Sequence, residues 1–386
     1  MFRKDLVKIK AYKPGRPIEE VKRALGLKEV YKLASNEVPF APNYIKKAIL
    51  KEVANVNRYP EGGCFYLRRA LAKQLKVDRD QIVFGNGSDE LIVLALEAFI
   101  QKGDEIVVAY PTFLIYELQG MVKGAKVRRL PLKDFRYDLD AMAKAITNKT
   151  KIVFIANPDN PGGTYLNKIE VEQFLKKIPK NVLVFLDEAY FEFAPSNFPK
   201  SLNLLKKRGN IIVTRTFSKA YGLAGLRIGY GVTTKKIADI LNKIREPFNV
   251  DRIAQVAAIE ALKNKDFLNK VLKFVKKEKQ YLYNELKKLK FDFIESATNF
   301  VLINLKKDTA SLNEYLLKEG VIIRELRGWG LNNFFRVTVG LHKENVKFIK
   351  CLKSYMCCQN MYGKITKNVK CKTKNHSAKL KITKVC

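Results

Sequence analysis

One lysine of this sequence has neighbours that suit covalent chemistry. Lys219 lies in the segment Thr-Arg-Thr-Phe-Ser-Lys-Ala-Tyr-Gly, residues 214–222, after an apolar run. A lysine held among apolar and cationic neighbours loses its proton near neutral pH and can then add to an aldehyde. Arg227 is the expected cationic neighbour, and Thr216 and Ser218 offer hydroxyl donors for a phosphate. Taken alone, a Ser-Lys pair is more often a solvated surface pair.

Two further side chains follow another apolar run, in the segment Val-Phe-Leu-Asp-Glu-Ala-Tyr at residues 184–190. Acids at the carboxyl end of a parallel strand lie where open α/β sheets bind ligands. Asp187 could keep the ring nitrogen of a bound heterocycle protonated, and Tyr190 could donate a hydrogen bond to an oxygen on such a ring. The alternative for Asp187 is an ordinary helix cap.

Two loops complete the set of residues suited to chemistry. The segment Asn-Pro-Asp-Asn-Pro-Gly-Gly, residues 157–163, predicts a rigid turn that fixes the amide of Asn160. The segment Gly-Asn-Gly-Ser-Asp-Glu, residues 85–90, predicts an anion site, because the N–H groups of Ser88 and Asp89 would begin a helix. The segment lacks the dinucleotide and Walker glycine patterns, which disfavours a Rossmann-type dehydrogenase.

The elements that must position these side chains form an α/β pattern. The predicted strands are residues 81–84, 105–109, 126–130, 151–155, 182–187, 211–214 and 228–232. Their continuous apolar runs favour a mainly parallel, seven-stranded sheet flanked by helices that begin near residues 89, 111, 138 and 168. Charged helical sequence from 253 to about 290 and strands at 300–305, 321–324 and 335–339 predict a smaller α+β domain.

Four regions follow from this pattern. We expect an N-terminal arm with part of the small domain at 1–45, a large ligand-binding domain at 46–270 and a C-terminal small domain at 271–356. Residues 357–386 are rich in lysine and cysteine, lack acids and are predicted to be a disordered tail. A metal site of Cys357, Cys358, Cys371 and His376 is the alternative there, but the spacing matches no usual zinc pattern and we expect no metal.

The formal net charge of +35 raises the alternative of a basic nucleic-acid-binding protein. The lysines are scattered rather than grouped with aromatic residues, so we expect no specific nucleic acid partner. The longest apolar stretch, residues 91–100, is too short to cross a membrane, and the first residues lack the apolar centre of a secretory signal. We therefore expect a cytoplasmic protein without a membrane partner.

The order of the four segments resembles that of the fold type I pyridoxal-phosphate aminotransferases. The resemblance implies that Lys219 is the Schiff-base lysine, that Asp187 pairs with the pyridinium nitrogen and that Tyr190 and Asn160 bind the ring oxygen. It also implies a set of ligands for the cofactor phosphate, which are Ser88, Asp89, Thr216, Ser218 and Arg227. Phe113 matches the ring that stacks on the cofactor. Tyr59 matches a tyrosine that reaches the neighbouring subunit's cofactor, which implies a homodimer with shared active sites.

The segments at residues 11–23, 33–40 and 321–340 resemble the histidinol-phosphate branch of that family, within a similarity that covers residues 8–355. That branch implies transamination of L-histidinol phosphate with 2-oxoglutarate, giving imidazole acetol phosphate and glutamate in histidine biosynthesis. By position, Arg336 would bind the substrate α-carboxylate and Asn36 would line the same pocket. The residues matched to the substrate phosphate end are Tyr12, Arg324 and Arg327.

The sequence departs from the common pattern of that branch at several positions. Trp329 stands where tyrosine is common, Asn332 where proline is common, Val38 where asparagine is frequent, and Phe113 where tyrosine is more usual. Related enzymes that transaminate aromatic amino acids or decarboxylate threonine phosphate share this scaffold, and both activities remain alternatives.

Overall fold

The computed structural model describes residues 2–372, with side chains described as far as residue 358. The strands of this part of the chain are β1 (Tyr31–Lys32), β2 (Ile82–Asn86), β3 (Glu105–Tyr110), β4 (Lys126–Pro131), β5 (Thr150–Ala156), β6 (Leu183–Asp187), β7 (Ile211–Thr216), β8 (Ile228–Val232), β9 (Asp292–Ile294), β10 (Phe300–Asn304), β11 (Val321–Ile322), β12 (Arg324–Glu325) and β13 (Phe334–Thr338).

The helices alternate with the strands in the first two thirds of the chain. They are α1 (Ile18–Leu25), α2 (Lys46–Val53), α3 (Phe65–Leu75), α4 (Ser88–Phe99), α5 (Ile115–Val122), α6 (Leu139–Lys144), α7 (Lys168–Lys177), α8 (Ser201–Leu204), α9 (Lys235–Ile244), α10 (Arg252–Lys263), α11 (Lys265–Lys288), α12 (Ala310–Lys318) and α13 (His342–Lys372).

The large sheet has seven strands in the order β2-β8-β7-β6-β5-β3-β4. Its strand pairs are parallel except for those of β8, which is antiparallel to both β2 and β7. The sheet consists of the seven strands that the apolar runs predicted, and the prediction of a mainly parallel sheet flanked by helices is confirmed.

Helices cover both faces of this sheet, which explains why its central strands are apolar throughout. Leu183 and Phe185 of β6 belong to the core on one face, and Val184 and Leu186 belong to the core on the other. Because successive side chains of a strand point to opposite faces, a strand buried on both sides shows no alternation with polar residues. The C-terminal ends of β5, β6 and β7 lie side by side, so the residues that follow them meet at one edge of the sheet.

A second, smaller sheet has four antiparallel strands in the order β12-β13-β10-β9. Its core includes Val271 of α11, Phe335 of β13 and Phe348 of α13, which confirms the predicted small α+β domain. Strand β1 pairs in parallel with β11 and so attaches the N-terminal segment to this domain. The short strands β1 and β9 were not predicted, because two or three residues are too few to show a period.

The charged helical sequence expected from 253 to about 290 forms two helices, α10 and α11, which meet at Asn264. The side chain of Asn264 accepts a hydrogen bond of 2.9 Å from the backbone N–H of Phe267, which caps the start of α11. The charge pattern of the sequence continues through the junction and does not show it.

The structure describes α13 as far as Lys372, so this helix includes the first residues of the segment predicted to be a disordered tail. No proline stands between His342 and Lys372, so no proline ring interrupts the hydrogen bonds of α13. Residues 373–386, including His376, lie outside the described residues, and so does the side chain of Cys371. Among the described residues, no helix is both long and apolar enough to span a bilayer.

Candidate active site

A cavity of about 300 Å³ opens at the C-terminal ends of β5, β6 and β7, beside the N-terminus of α4. Most residues that the sequence singled out line it. They are Tyr12, Asn36, Ser88, Asp89, Phe113, Asn160, Asp187, Tyr190, Thr216, Ser218, Lys219, Arg227, Arg324 and Arg336. The N-terminal segment, the large sheet and the small sheet therefore each supply part of one site.

The N-terminus of α4 provides a place for an anion. The helix begins at Ser88, and Arg227 places Nη2 3.7 Å from Oδ2 of Asp89 and Nη1 3.4 Å from the Ser218 hydroxyl. The backbone of Gly87 has a φ of +78°, which favours glycine, and a Cβ there would lie 2.4 Å from Nη2 of Arg227 and displace it. The first N–H groups of a helix and an adjacent guanidinium are the donors that a phosphate group takes.

A second glycine brings strand β8 against this helix start. A Cβ on Gly229 would lie 2.5 Å from the backbone nitrogen of Ser88, so there is no space for a side chain at this position. Nearby, the Thr216 hydroxyl accepts a 3.0 Å hydrogen bond from the backbone N–H of Ser218 and donates one of 3.3 Å to the carbonyl of Ile228. These contacts hold the two hydroxyl residues in place beside the helix, and the residues present fit a phosphate group.

Asp187 ends β6 and is almost completely buried, with 5% of its surface exposed. Its carboxylate accepts hydrogen bonds from the Tyr116 phenol at 2.6 Å, the Ala189 backbone N–H at 3.1 Å and the Thr214 hydroxyl at 3.4 Å. Burial raises the pKa of Asp187 to about 6. A cationic N–H group placed against this carboxylate would stabilise its ionised form, as a protonated heterocycle requires.

Lys219 projects into the same cavity. Its amine lies 3.4 Å from the carbonyl oxygen of Ser35 and 5.7 Å from the centre of the Tyr190 ring. Burial, followed by the positive charge of Arg336, lowers the pKa of Lys219 from 10.5 to about 8. The amine therefore has a substantial unprotonated fraction near neutral pH, which is the condition for a nucleophile or a general base.

Tyr190 and Asn36 form a buried pair beside this lysine. The Asn36 side-chain amide donates a 2.8 Å hydrogen bond to the Tyr190 hydroxyl oxygen, and burial raises the pKa of Tyr190 to about 12. The phenol thus stays protonated and keeps its own proton for donation. Asn36 is fixed in turn, because its backbone N–H donates to the Thr338 hydroxyl at 2.9 Å. The pair provides a neutral donor within the cavity.

Two arginines face each other across adjacent antiparallel strands. Arg324 of β12 is the register partner of Arg336 of β13, and both side chains are buried. Arg336 donates to the Ala34 carbonyl at 2.9 Å and to Oδ1 of Asn160, while its buried Nε has no hydrogen-bond partner. Burial lowers the pKa of Arg336 to about 10.

Among the residues whose side chains the structure describes, no carboxylate completes this arginine pair. Within residues 2–358, neither Arg324 nor Arg336 forms an ion pair with an acid, and the acids that line the cavity are Asp89 and Asp187. Like charges directly opposite each other on neighbouring strands are destabilising. The arrangement is therefore suited to a ligand that brings a multiply charged anion between the two guanidiniums.

The aromatic rings of Tyr12, Phe113 and Tyr116 form part of the cavity wall. The ring of Phe113 meets that of Tyr116 edge to face, with centres 5.6 Å apart. The rings of Tyr12 and Trp329 flank the guanidinium of Arg324, which lies 5.3 Å and 5.0 Å from their centres. Phe113 is thus placed to stack on a flat ligand that reaches Asp187.

Two predicted residues lie outside the cavity of this single chain. Arg327, in the short 3-10 helix Arg327–Trp329, pairs with Asp308 and lies 3.7 Å from Glu325, so its charge is compensated there. Tyr59 is 78% exposed, and its ring stacks on Phe248 with centres 4.8 Å apart. In this chain neither side chain meets the other predicted residues.

The sequence did not single out several residues that the cavity contains. Tyr116, the hydrogen-bond partner of Asp187, lies in the apolar helix α5, where its residue type alone does not distinguish a hydrogen-bond donor from a core residue. Ser35 contributes its backbone carbonyl to the contact with Lys219, and a backbone contact leaves no signal in residue type.

Comparison with known proteins connects this geometry to a family. Residues 28–349 match the family model for aminotransferase class I and II. The chain is 45% identical to histidinol-phosphate aminotransferase 2 of Carboxydothermus hydrogenoformans, over 92% of this chain and 98% of that protein. It is 43% identical to histidinol-phosphate aminotransferase of Moorella thermoacetica, over 92% of each chain.

A solved structure shows the same architecture. The crystal structure of histidinol-phosphate aminotransferase from Sinorhizobium meliloti in complex with pyridoxal-5'-phosphate superimposes with a TM-score of 0.85 at 28% identity. The alignment covers 92% of this chain and 98% of that one. The likeness in fold therefore extends over both sheets and the cavity between them.

Proposed function

Because this chain belongs to the aminotransferase class I and II family, we propose that it transfers the amino group of L-histidinol phosphate to 2-oxoglutarate with pyridoxal 5'-phosphate as cofactor. The products are imidazole acetol phosphate and glutamate, and the reaction serves histidine biosynthesis. The observation that carries this proposal is the buried, acid-free pair of Arg324 and Arg336, which opens into the cavity that contains Lys219. The names of the relatives at 43% and 45% identity support the same substrate.

The residues present fit the cofactor. Its phosphate would be held by Ser88, Asp89, Thr216, Ser218 and Arg227, where two glycines bring backbone and guanidinium together. Its ring nitrogen would be held by Asp187 and its ring oxygen by Tyr190 and Asn160, with Phe113 against the ring face. When bound, the cofactor supplies an electron-withdrawing ring that stabilises negative charge at the substrate α-carbon.

The side chains of the protein transfer the proton and orient the cofactor. Lys219 accepts the proton of the substrate α-carbon on Nζ and returns a proton from the same atom. The carboxylate of Asp187, which Tyr116 orients, would bind the protonated ring nitrogen of the cofactor. The Oδ1 of Asn160 accepts a hydrogen bond from Arg336, which leaves its Nδ2 as the donor within the cavity.

The two arginines select the anionic end of each substrate. Histidinol phosphate carries a phosphorylated hydroxymethyl group where an amino acid has its α-carboxylate. The expectation that Arg336 binds an α-carboxylate therefore applies to glutamate and 2-oxoglutarate, and with histidinol phosphate the same guanidinium meets the phosphate. Both substrates use one set of cations in turn, so we expect ping-pong kinetics.

A comparison of amino donors tests this function. Purified enzyme is supplied with 2-oxoglutarate and with histidinol phosphate, phenylalanine, tyrosine or threonine phosphate. We expect kcat/KM for histidinol phosphate to exceed that for the aromatic amino acids on the order of 100-fold, because they leave the arginine pair with one carboxylate only. Equal turnover of phenylalanine would show an aromatic amino acid aminotransferase instead. Release of carbon dioxide from threonine phosphate would show a decarboxylase.

The working unit that we propose is a cytoplasmic homodimer. Apolar side chains at the surface of α2, α3 and the segment between them are well exposed; they are Leu50, Val53, Val56, Tyr59, Phe65 and Tyr66. A second copy of the chain would cover such a surface and bring Tyr59 towards the neighbouring cofactor phosphate. The buried thiols of Cys64 and Cys351 are free, as is usual in a reducing compartment.

A further inference from the structure

Tyr12, near the N-terminus, and Arg324 and Trp329, in the small domain, form a cluster in which two aromatic rings flank one guanidinium. The guanidinium of Arg324 lies 5.3 Å from the centre of the Tyr12 ring and 5.0 Å from that of Trp329. The two rings are 6.4 Å apart and nearly perpendicular. Two rings at these distances restrict the guanidinium without neutralising it, because aromatic faces attract a cation but bring no negative charge.

Trp329 has a second contact that Tyr12 lacks. Its indole N–H donates a 2.7 Å hydrogen bond to the carbonyl of Thr112, and the ring is buried, with 2% of its surface exposed. Thr112 directly precedes Phe113, the ring placed against the cofactor. The indole therefore joins the arginine of the small sheet to the loop that carries the stacking ring.

The contacts continue from Thr112 to the second arginine. The Thr112 hydroxyl donates a 2.6 Å hydrogen bond to buried Asp159, whose neighbour Asn160 accepts a hydrogen bond from Arg336. Arg336 is in turn the register partner of Arg324. Trp329 is therefore connected to Arg324 in two ways. Its ring contacts the guanidinium directly, and its indole N–H is linked to the neighbouring strand through Thr112, Asp159, Asn160 and Arg336.

We propose that Trp329 is a positioning residue that fixes Arg324 for the doubly charged end of the substrate, through its ring and its indole N–H. The inference rests on the proposed function, since it names the residue that sets the affinity of that site for a phosphate group. A residue that merely filled space would affect every substrate and the stability of the fold together. A residue that positions Arg324 acts on the substrate phosphate first.

Two variants separate the two contacts of the indole. Trp329→Phe keeps a ring over Arg324 and removes the N–H, and Trp329→Leu removes both. We expect the KM for histidinol phosphate to rise about 5-fold in the first variant and about 20-fold in the second. In both variants kcat should change by less than about 2-fold, because Lys219 and Asp187 keep their places. Tyr315→Phe, a ring change in α12 outside the cavity, is the matched control and should leave KM unchanged.

Trp329 is also the single tryptophan of the chain, so its fluorescence reports on this position alone. Titration of the wild-type holoenzyme with inorganic phosphate should change the emission in a saturable manner, and Arg324→Gln should abolish that change. This measurement needs no turnover of histidinol phosphate. If the wild-type enzyme used another donor, the proposed function would fail while the titration still tested the positioning role.

The opposing outcomes are distinct. An unchanged KM for histidinol phosphate in Trp329→Phe and Trp329→Leu overturns the proposal. So does a parallel loss of kcat with every donor together with a lower melting temperature, because that pattern indicates packing alone. An emission that does not respond to inorganic phosphate also contradicts it, since the ring would then not sense the anion bound by Arg324.

Discussion

The phenol of Tyr116 donates a 2.6 Å hydrogen bond to Oδ2 of Asp187. The bond joins α5 to the end of β6 and fixes the direction of a carboxylate that has almost no contact with solvent. Thr214 and the backbone N–H of Ala189 bind the other oxygen. The carboxylate is therefore oriented before any ligand binds. In the cofactor-free protein, burial destabilises its ionised form and so lowers the free energy of unfolding.

This effect predicts how stability of the cofactor-free protein depends on pH. Burial raises the pKa of Asp187 from 3.8 to about 6, so between these values the native state binds more protons than the unfolded state. The free energy of unfolding therefore falls as the pH rises through this window. We expect Asp187→Asn to remove this fall and to be more stable than the wild type above pH 6, by on the order of 3 kcal/mol.

Urea unfolding of both cofactor-free proteins across this window measures the difference. Asp159, whose pKa burial also raises to about 6, remains in both proteins and cancels in the comparison. With the cofactor bound the order should reverse, because the variant cannot pair with a cationic ring nitrogen. Parallel curves for the two cofactor-free proteins would show that the carboxylate is not penalised by burial.

The second prediction concerns the amine of Lys219. Because its pKa is lowered to about 8, the rate of covalent cofactor uptake by the cofactor-free protein should rise with pH and level off above about 8. Lys219→Ala should lose covalent binding and at least about 10³-fold in kcat. Visible absorption of the bound cofactor and reduction with borohydride, followed by peptide mapping, measure both effects.

The chain offers a matched control for that lysine. Burial lowers the pKa of Lys279 to about 8 as well, but its amine donates to the backbone carbonyls of Ser296 and Thr298 and it does not line the cavity. Lys279→Ala should retain covalent cofactor. If borohydride instead fixed the cofactor to Lys279, a lowered pKa would be sufficient for the reaction, and the position of Lys219 in the cavity would not be required.

The third prediction compares two arginines that are close in sequence. Arg324→Gln should raise the KM for histidinol phosphate about 10- to 100-fold, since one cation of the pair is lost. The same change should leave the ligand-free protein as stable or slightly more stable, because two like charges no longer face each other. Steady-state kinetics and thermal unfolding of the ligand-free enzyme measure the two effects.

Arg327→Gln is the control, and it also decides a prediction made from sequence. Arg327 was matched to the substrate phosphate end, but in this chain it pairs with Asp308 outside the cavity. We expect its KM for histidinol phosphate to stay within about 2-fold of the wild type, as is usual for an exposed ion pair. A loss as large as that of Arg324→Gln would return Arg327 to the substrate site.

The fourth prediction tests the shared active site. Variants Lys219→Ala and Tyr59→Ala are unfolded together and refolded as a mixture. If Tyr59 serves the neighbouring subunit, each mixed dimer contains one intact site, and the mixture should recover about a quarter of wild-type activity. Should Tyr59 act within its own subunit, mixing would give no activity beyond that of Tyr59→Ala alone.

The sequence predicted the elements that show a continuous apolar run, and it did not predict contacts that depend on a single residue or on the tertiary fold. Strand β6 was predicted because its four apolar residues are buried on both faces, and Asp187 lies at its end as expected. Tyr116 was missed because a tyrosine in an apolar helix has no feature that distinguishes a hydrogen-bond donor from a core residue. The compensation of Arg327 by Asp308 was missed because their contact depends on the fold of the small domain.

The junction at Asn264 has a consequence for how the site meets its substrate. Helix α10 packs through Ala254, Ala257 and Ala258 in the core of the large sheet, whereas α11 packs through Val271 in the core of the small one. Arg324 and Arg336 belong to neighbouring strands of the small sheet, so their mutual spacing is set within that sheet. Their distance from Lys219, in contrast, depends on how the two cores pack against each other.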